Sequence, residues 1–155
     1  MSSLAFAGMS PEEVKAFEVI KAYALKGHPV AQFNLGNSYD RGDGVAKDEA
    51  EAARWYHKAA DQGYAPAQYN LGVSYANGFG VIKDVAKAIM WYRMAADQGD
   101  VLAQRNLAHV YRKGDGVAKD DVEAVKWYRK AAEQGDAAGQ YYLAGRYDFG
   151  QGVNK

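Results

Sequence analysis

Ala67-Gln68-Tyr69-Asn70-Leu71-Gly72-Val73-Ser74-Tyr75 is the stretch on which the fold turns, because its pattern returns along the chain every 36 residues. The glutamine recurs as Gln32, Gln68, Gln104 and Gln140, and the tyrosine as Tyr39, Tyr75, Tyr111 and Tyr147. Residues 28–63, 64–99 and 100–135 can be set beneath one another. Seventeen columns are then identical in all three: Ala31, Gln32, Asn34, Leu35, Tyr39, Gly42, Gly44, Val45, Lys47, Asp48, Ala52, Trp55, Tyr56, Ala59, Ala60, Gln62 and Gly63 with their counterparts. A fixed period of this length marks a repeat array, in which each unit buries its apolar face only against its neighbours.

Each copy reads as two helices. In the first, over residues 29–41, Ala31, Leu35 and Tyr39 recur at i, i+4 and i+8 and form one apolar stripe. Gly42-x-Gly44 ends it, since glycine accepts a left-handed backbone without a Cβ penalty. The second helix starts behind Asp48, an N-cap with Glu51 placed for a capping box; Asp120 and Glu123 repeat the arrangement. Ala52, Trp55, Tyr56, Ala59 and Ala60 then alternate very large with very small side chains, a pattern suited to interdigitation with neighbouring helices. Gly63 closes the copy.

Upstream, Ser10-Pro11-Glu12-Glu13 is a helix start with Ser at the N-cap and Pro at N1. Residues 11–27 align with a second helix and form an N-terminal capping helix. The domain plan is therefore a leader or tag over 1–10, the capping helix, repeats over 28–63, 64–99 and 100–135, and the first half of a fourth repeat over 136–155. That plan gives about eight helices and an array that continues past Lys155. Ala5-Phe6-Ala7 ahead of Gly8 is similar to a signal-peptide cleavage pattern, but lacks a basic n-region and a sufficient apolar run.

Composition narrows the function classes. The 19 basic and 19 acidic residues cancel, so the long-range field that draws a protein onto nucleic acid is missing and no nucleic-acid partner is expected. No stretch approaches the roughly 20 apolar residues of a membrane span. The absence of cysteine removes disulfides, thiolate metal sites and cysteine nucleophiles, without assigning a compartment. His28, His57 and His109 occupy different columns with no metal-ligand spacing. The Gly42-Asp43-Gly44 loop follows no strand and recurs as a connector, so it is a turn and no phosphate cradle. No catalytic set, metal or cofactor is expected.

The motifs Ala-x-x-x-Leu-Gly-x-x-Tyr, Gly-x-Gly-Val-x-x-Asp and Ala-x-x-Trp-Tyr-x-x-Ala-Ala-x-Gln-Gly resemble the Sel-one-like repeat (SLR), a branch of the tetratricopeptide superfamily. The resemblance covers residues 28–155 and extends weakly to residue 11. It implies an all-α fold, a right-handed α-α superhelix or solenoid of helix-turn-helix repeats, whose first helices line a concave groove. Ala108 and Ala144 depart from the Gly36 and Gly72 of the first two copies, which should loosen helix contact slightly. Some bacterial SLR proteins carry a disulfide in each helix pair and are associated with β-lactam binding; the cysteines that would carry this over are missing here.

By analogy with that geometry, the variable columns 30, 33, 37, 40 and 41 face the groove. Its partner-binding candidates are Phe33, Asn37 and Arg41; Tyr69, Val73 and Asn77; Arg105, His109, Arg112 and Lys113; and Tyr141. The face is aromatic in copies one, two and four and cationic in copy three, and aromatic and arginine side chains are frequent interface anchors. The expected function is a non-enzymatic scaffold or adaptor, bacterial by family tendency, that binds a protein or peptide ligand. The alternatives are a cell-wall or β-lactam-related enzyme by family association, or a structural spacer in a longer array. Leu143 and Tyr147 at an open C-terminal end offer a surface for dimerisation.

Overall fold

The computed structural model describes residues 8–148, so residues 1–7 of the expected leader over 1–10, and the tail over 149–155, lie outside the described residues. Among the described residues there are eight helices and no strand: α1 Pro11–Leu25, α2 Pro29–Arg41, α3 Glu49–Asp61, α4 Ala65–Asn77, α5 Val85–Asp97, α6 Val101–Lys113, α7 Asp121–Glu133 and α8 Ala137–Asp148. They fall into two compact units, Met1–Asp84 with α1 to α4 and Val85–Lys155 with α5 to α8. Within each unit consecutive helices pack on one another.

Both kinds of helix end are built from glycine, in two ways. Gly42 has φ +82° and terminates α2. The next glycine in the motif does something else. A Cβ on Gly44 would lie 2.4 Å from the Glu13 carbonyl oxygen, and one on Gly80 would lie 1.9 Å from the Glu49 carbonyl oxygen. Gly116 meets Val85 in the same register. The second glycine of each loop therefore lets the loop press against the second-type helix of the preceding copy, and it places α1 in the same register as α3 and α5.

The second-type helices end in a Schellman motif. In α3 the Gly63 N–H donates to the Ala60 carbonyl at 2.9 Å and the Tyr64 N–H to the Ala59 carbonyl at 3.2 Å. The same pair of bonds follows α1, α5 and α7. Carbonyls at such ends are only partly satisfied, and this explains the glutamine column. Gln32, Gln68, Gln104 and Gln140 each donate from Nε2 to the carbonyl of Ala24, Ala60, Ala96 and Ala132, at 3.1 to 3.4 Å. The chain of bonds extends further, Gln62 donating to Gln32 Oε1 at 2.7 Å and Gln134 to Gln104 Oε1 at 3.0 Å. Gln32, Gln68 and Gln104 are buried, so each carries a satisfied polar link inside the core.

The capping boxes expected behind Asp48 and Asp120 are only half formed. Both aspartates accept from the backbone of the helix's third residue, but the glutamates turn outward. Glu51 accepts from Arg54 at 2.6 Å, and Glu123 accepts from Lys126 and from the Trp127 indole N–H. A charged partner one turn on outcompetes the N-cap N–H. The full reciprocal box stands at α1, where Glu13 accepts from the Ser10 N–H and Ser10 Oγ from the Glu13 N–H. Those bonds hold the Glu13 carboxyl below its ordinary pKa.

The core follows the large-and-small alternation. Leu35, Leu71, Leu107, Ala59, Ala95 and Ala131 have no exposed surface, and Trp55, Trp91 and Trp127 are buried beside them. A Cβ on Gly36 would sit 2.6 Å from the Tyr56 ring, so α2 and α3 meet at glycine. Ala108 in the corresponding place of α6 is fully buried as well.

Candidate functional site

Three first-helix surfaces receive the candidate residues. In the second unit, Arg105, His109 and Arg112 of α6 and Tyr141 of α8 line one cleft of about 460 Å³, floored by Tyr128 of α7 and flanked by Tyr142. In the first unit, Asn37 and Arg41 line a cavity of about 290 Å³ against α1, and Val73 lines a smaller one of about 230 Å³ with Asp40, Lys47 and Tyr56. The remaining candidates are dispersed. Phe33 is half-buried, its ring 5.9 Å from Tyr56 and 5.4 Å from Tyr64, so it is largely a packing residue. Asn77 donates to the Val73 carbonyl of its own helix, Tyr69 is half-buried, and Lys113 is exposed.

Asn37 is also engaged inside the fold. Its Oδ1 accepts from the Tyr56 hydroxyl at 2.8 Å and from Asn70 Nδ2 at 3.4 Å, a small network that ties α2, α3 and α4. Burial, helped by the nearby Asp40 charge, pushes the Tyr56 phenol up to about 12.

The same columns are chemically different in the second unit. His109 stands where Asn37 does, and Tyr142 replaces the asparagine of the Asn34, Asn70, Asn106 column. Tyr142 stacks on Tyr128 with centroids 4.1 Å apart. The Arg112 guanidinium lies 5.8 Å from the Tyr142 ring, donates to His109 Nδ1 at 3.3 Å and reaches the Tyr128 hydroxyl, while its Nε is buried with no acceptor. An Nδ1 that faces the Arg112 donor suits a neutral imidazole with its proton on Nε2. Burial, then the positive charges of Lys113 and Arg112, hold its pKa below the ordinary value.

Arg105 is partly committed: it donates to Asp136 Oδ1 at 3.1 Å, and Asp136 also caps α8 by accepting from the Gly139 N–H. Tyr141 by contrast is 85% exposed at the cleft mouth. A neutral chain therefore carries a local cationic cleft walled by tyrosine. Tyr128 and Tyr142 were not among the expected residues; the break at position 142 of an otherwise unbroken asparagine column is the signal that points to them.

A family model for the Sel1 repeat matches residues 29–64, 65–100, 101–136 and 137–155. The chain belongs to the Sel1 repeat family. Members of this family typically serve as scaffolds for protein–protein interaction. Among solved structures, the Sel1 repeat chain is similar to a protective antigen of uropathogenic Escherichia coli that displays an SLR fold, with TM-score 0.85 and 45% identity over 89% of this chain and 30% of that one. It is also similar to a Sel1 repeat protein from Oxalobacter formigenes, with TM-score 0.85 and 42% identity over 91% of this chain and 58% of that one. It thus spans under a third of the first and little over half of the second. Cysteine rich protein B of Helicobacter pylori shares the fold, with TM-score 0.68 at 24% identity over 83% of this chain and 96% of that one. These neighbours are bacterial, and no curated protein matches. No helix among the described residues is long and apolar enough to cross a membrane.

Proposed function

We propose that this Sel1 repeat protein is a non-enzymatic scaffold whose cleft between α6 and α8 holds an acidic segment, or the C-terminal carboxylate, of a protein ligand. The observation that carries the reading is the convergence of Arg105, His109 and Arg112 with three tyrosines in one 460 Å³ cleft. Arg112 lines the cleft, and charge-assisted bonds between a guanidinium and a carboxylate are the strong ones. Tyr141 and Tyr142 offer rigid apolar surface to the neighbouring ligand side chains, the combination found at interface hot spots.

A fluorescein-labelled acidic peptide with a free C-terminus, followed by anisotropy, tests this. Arg112→Ala should weaken binding by about 10- to 100-fold, the loss of a hydrogen bond to a charged group, with little change in helicity. Tyr141→Ala should weaken it less. Affinity indifferent to both substitutions would overturn the cleft as the binding site. Among the described residues α8 leaves Leu143 half-buried and Ala144 exposed, and self-association through that face is a second reading of the same scaffold.

A further inference from the structure

The loop that holds the second glycine of each Gly-x-Gly pair rests on one column of the preceding second-type helix. On α1 that column holds Phe17, whose Cβ lies 2.8 Å from a Cβ built on Gly44. On α5 it holds Ile89, whose Cδ1 lies 3.5 Å from one built on Gly116, and α7 carries the buried Val125 there. On α3 the same column is Ala53, and the atoms nearest to a Cβ on Gly80 belong to the backbone of Glu49 and Ala50. A small residue where a large one packs elsewhere leaves space. That space is a pocket of about 510 Å³ walled by Ala53 and Trp55 of α3, Leu71 of α4 and Val81 of the loop.

The tryptophan in the wall also lacks what its counterpart has. In α7 the Trp127 indole N–H donates to Glu123 at 3.1 Å. In α3 the matching glutamate, Glu51, accepts from Arg54, and the Trp55 N–H makes no hydrogen bond among the described residues. An indole N–H in an apolar wall is a donor suited to a ligand's acceptor. The charges at the rim sort in the same direction. Glu51 is paired with Arg54, and His57 faces Asp61 at 2.9 Å. The positive charge next to Trp55 is that of Lys58, whose ammonium lies 4.0 Å from the centre of the ring.

We propose that this pocket binds a small apolar carboxylate. Its aromatic or aliphatic body takes the space that Phe17, Ile89 and Val125 fill on the other second-type helices. Its carboxylate takes the part that Glu123 plays in α7, accepting from the Trp55 N–H beside the Lys58 ammonium. The volume falls in the range of small-molecule sites, which combine an apolar cavity with a few polar groups. The pocket belongs to the first unit, and its ligand is a different one from that proposed for the cleft between α6 and α8.

The probe is 2-naphthoate, with 2-naphthalenemethanol as its neutral analogue, and binding is followed by calorimetry and by the indole N–H resonances of the tryptophans. The wild type should bind naphthoate with a Kd below about 1 mM, and the alcohol at least about 5-fold more weakly. The Trp55 resonance should move furthest. Ala53→Ile, which copies α5, should keep the helicity, melt no lower than the wild type without the probe, and bind naphthoate at least about 10-fold more weakly. Lys58 is exposed, and Lys58→Gln should weaken naphthoate about 3- to 10-fold while leaving the alcohol unchanged. No saturable binding up to about 5 mM, equal affinity for acid and alcohol, or undiminished binding in Ala53→Ile would overturn the proposal. So would a lower melting temperature in Ala53→Ile, or a loss of naphthoate binding in Arg112→Ala, which would place the probe in the other cleft.

Discussion

At Gly80 a single missing methyl decides whether a loop can seat. A Cβ there would fall 1.9 Å from the Glu49 carbonyl oxygen on a backbone at φ +68°, so both space and conformation exclude alanine. Gly80→Ala should destabilise by at least about 2 kcal/mol in urea denaturation, while Gly63→Ala, which meets no atoms, should show only the roughly 1 kcal/mol of its left-handed backbone. The sequence shows both glycines of the Gly-x-Gly motif as one helix stop; that the second presses on another copy is invisible there, because the contact spans 31 residues. The buried Trp127 is the better core probe. It is the least exposed of the three tryptophans, at 2%, and Trp127→Ala should cost about 3 to 5 kcal/mol. A cost within about half a kcal/mol of zero would refute its place in the core. Trp91, in the central copy of the sequence, is buried as well, and Trp91→Ala should cost a comparable amount.

At the scale of the helix, the boundaries were legible because their signals are local. Pro29, Gly42, Asp48 and Gly63 set the ends of α2 and α3 where capping chemistry puts them. Half of the capping box was not legible, because Glu51 and Glu123 had competing partners one turn along, Arg54 for the one and Lys126 and Trp127 for the other. The junction of α2 and α3 makes a pH prediction. The Tyr56 phenol, raised to about 12 by burial, keeps its proton in the native state above the pH at which an unfolded tyrosine ionises near 10. Its contribution to stability is therefore complete below about pH 10 and is lost as pH rises through the folded value. Spectrophotometric titration at alkaline pH should show late-ionising phenols, among them one that disappears in Tyr56→Phe. On α6 the sign is reversed. His109 has a lowered pKa, so the unfolded chain takes up this proton first, and stability should decline as pH falls through about 6.5. His109→Gln should flatten that part of the stability profile.

For the molecule as a whole, the repeating columns specify the scaffold and the departures from them specify the cleft. The family and the all-α repeat fold were legible in the 36-residue register, since every repeated column answers to one packing or capping need. The site was legible only in part. Arg105, His109, Arg112 and Tyr141 share a cleft as their common helix face implies, whereas Phe33 and Asn37 are drawn into contacts with Tyr56. A column position shows which way a residue points, but not whether a neighbour has already claimed it. Arg105 illustrates the point, because its partner Asp136 lies 31 residues away and serves as a helix cap.

The central claim is that the cleft between α6 and α8 is where an acidic ligand binds, and a nitrogen–proton correlation titration tests it most directly. An acidic peptide with a free carboxylate should shift the resonances of His109, Arg112, Tyr128, Tyr141 and Tyr142, and more strongly than its amidated neutral analogue does. Equal responses to the two peptides, or shifts confined to other helices, would contradict it.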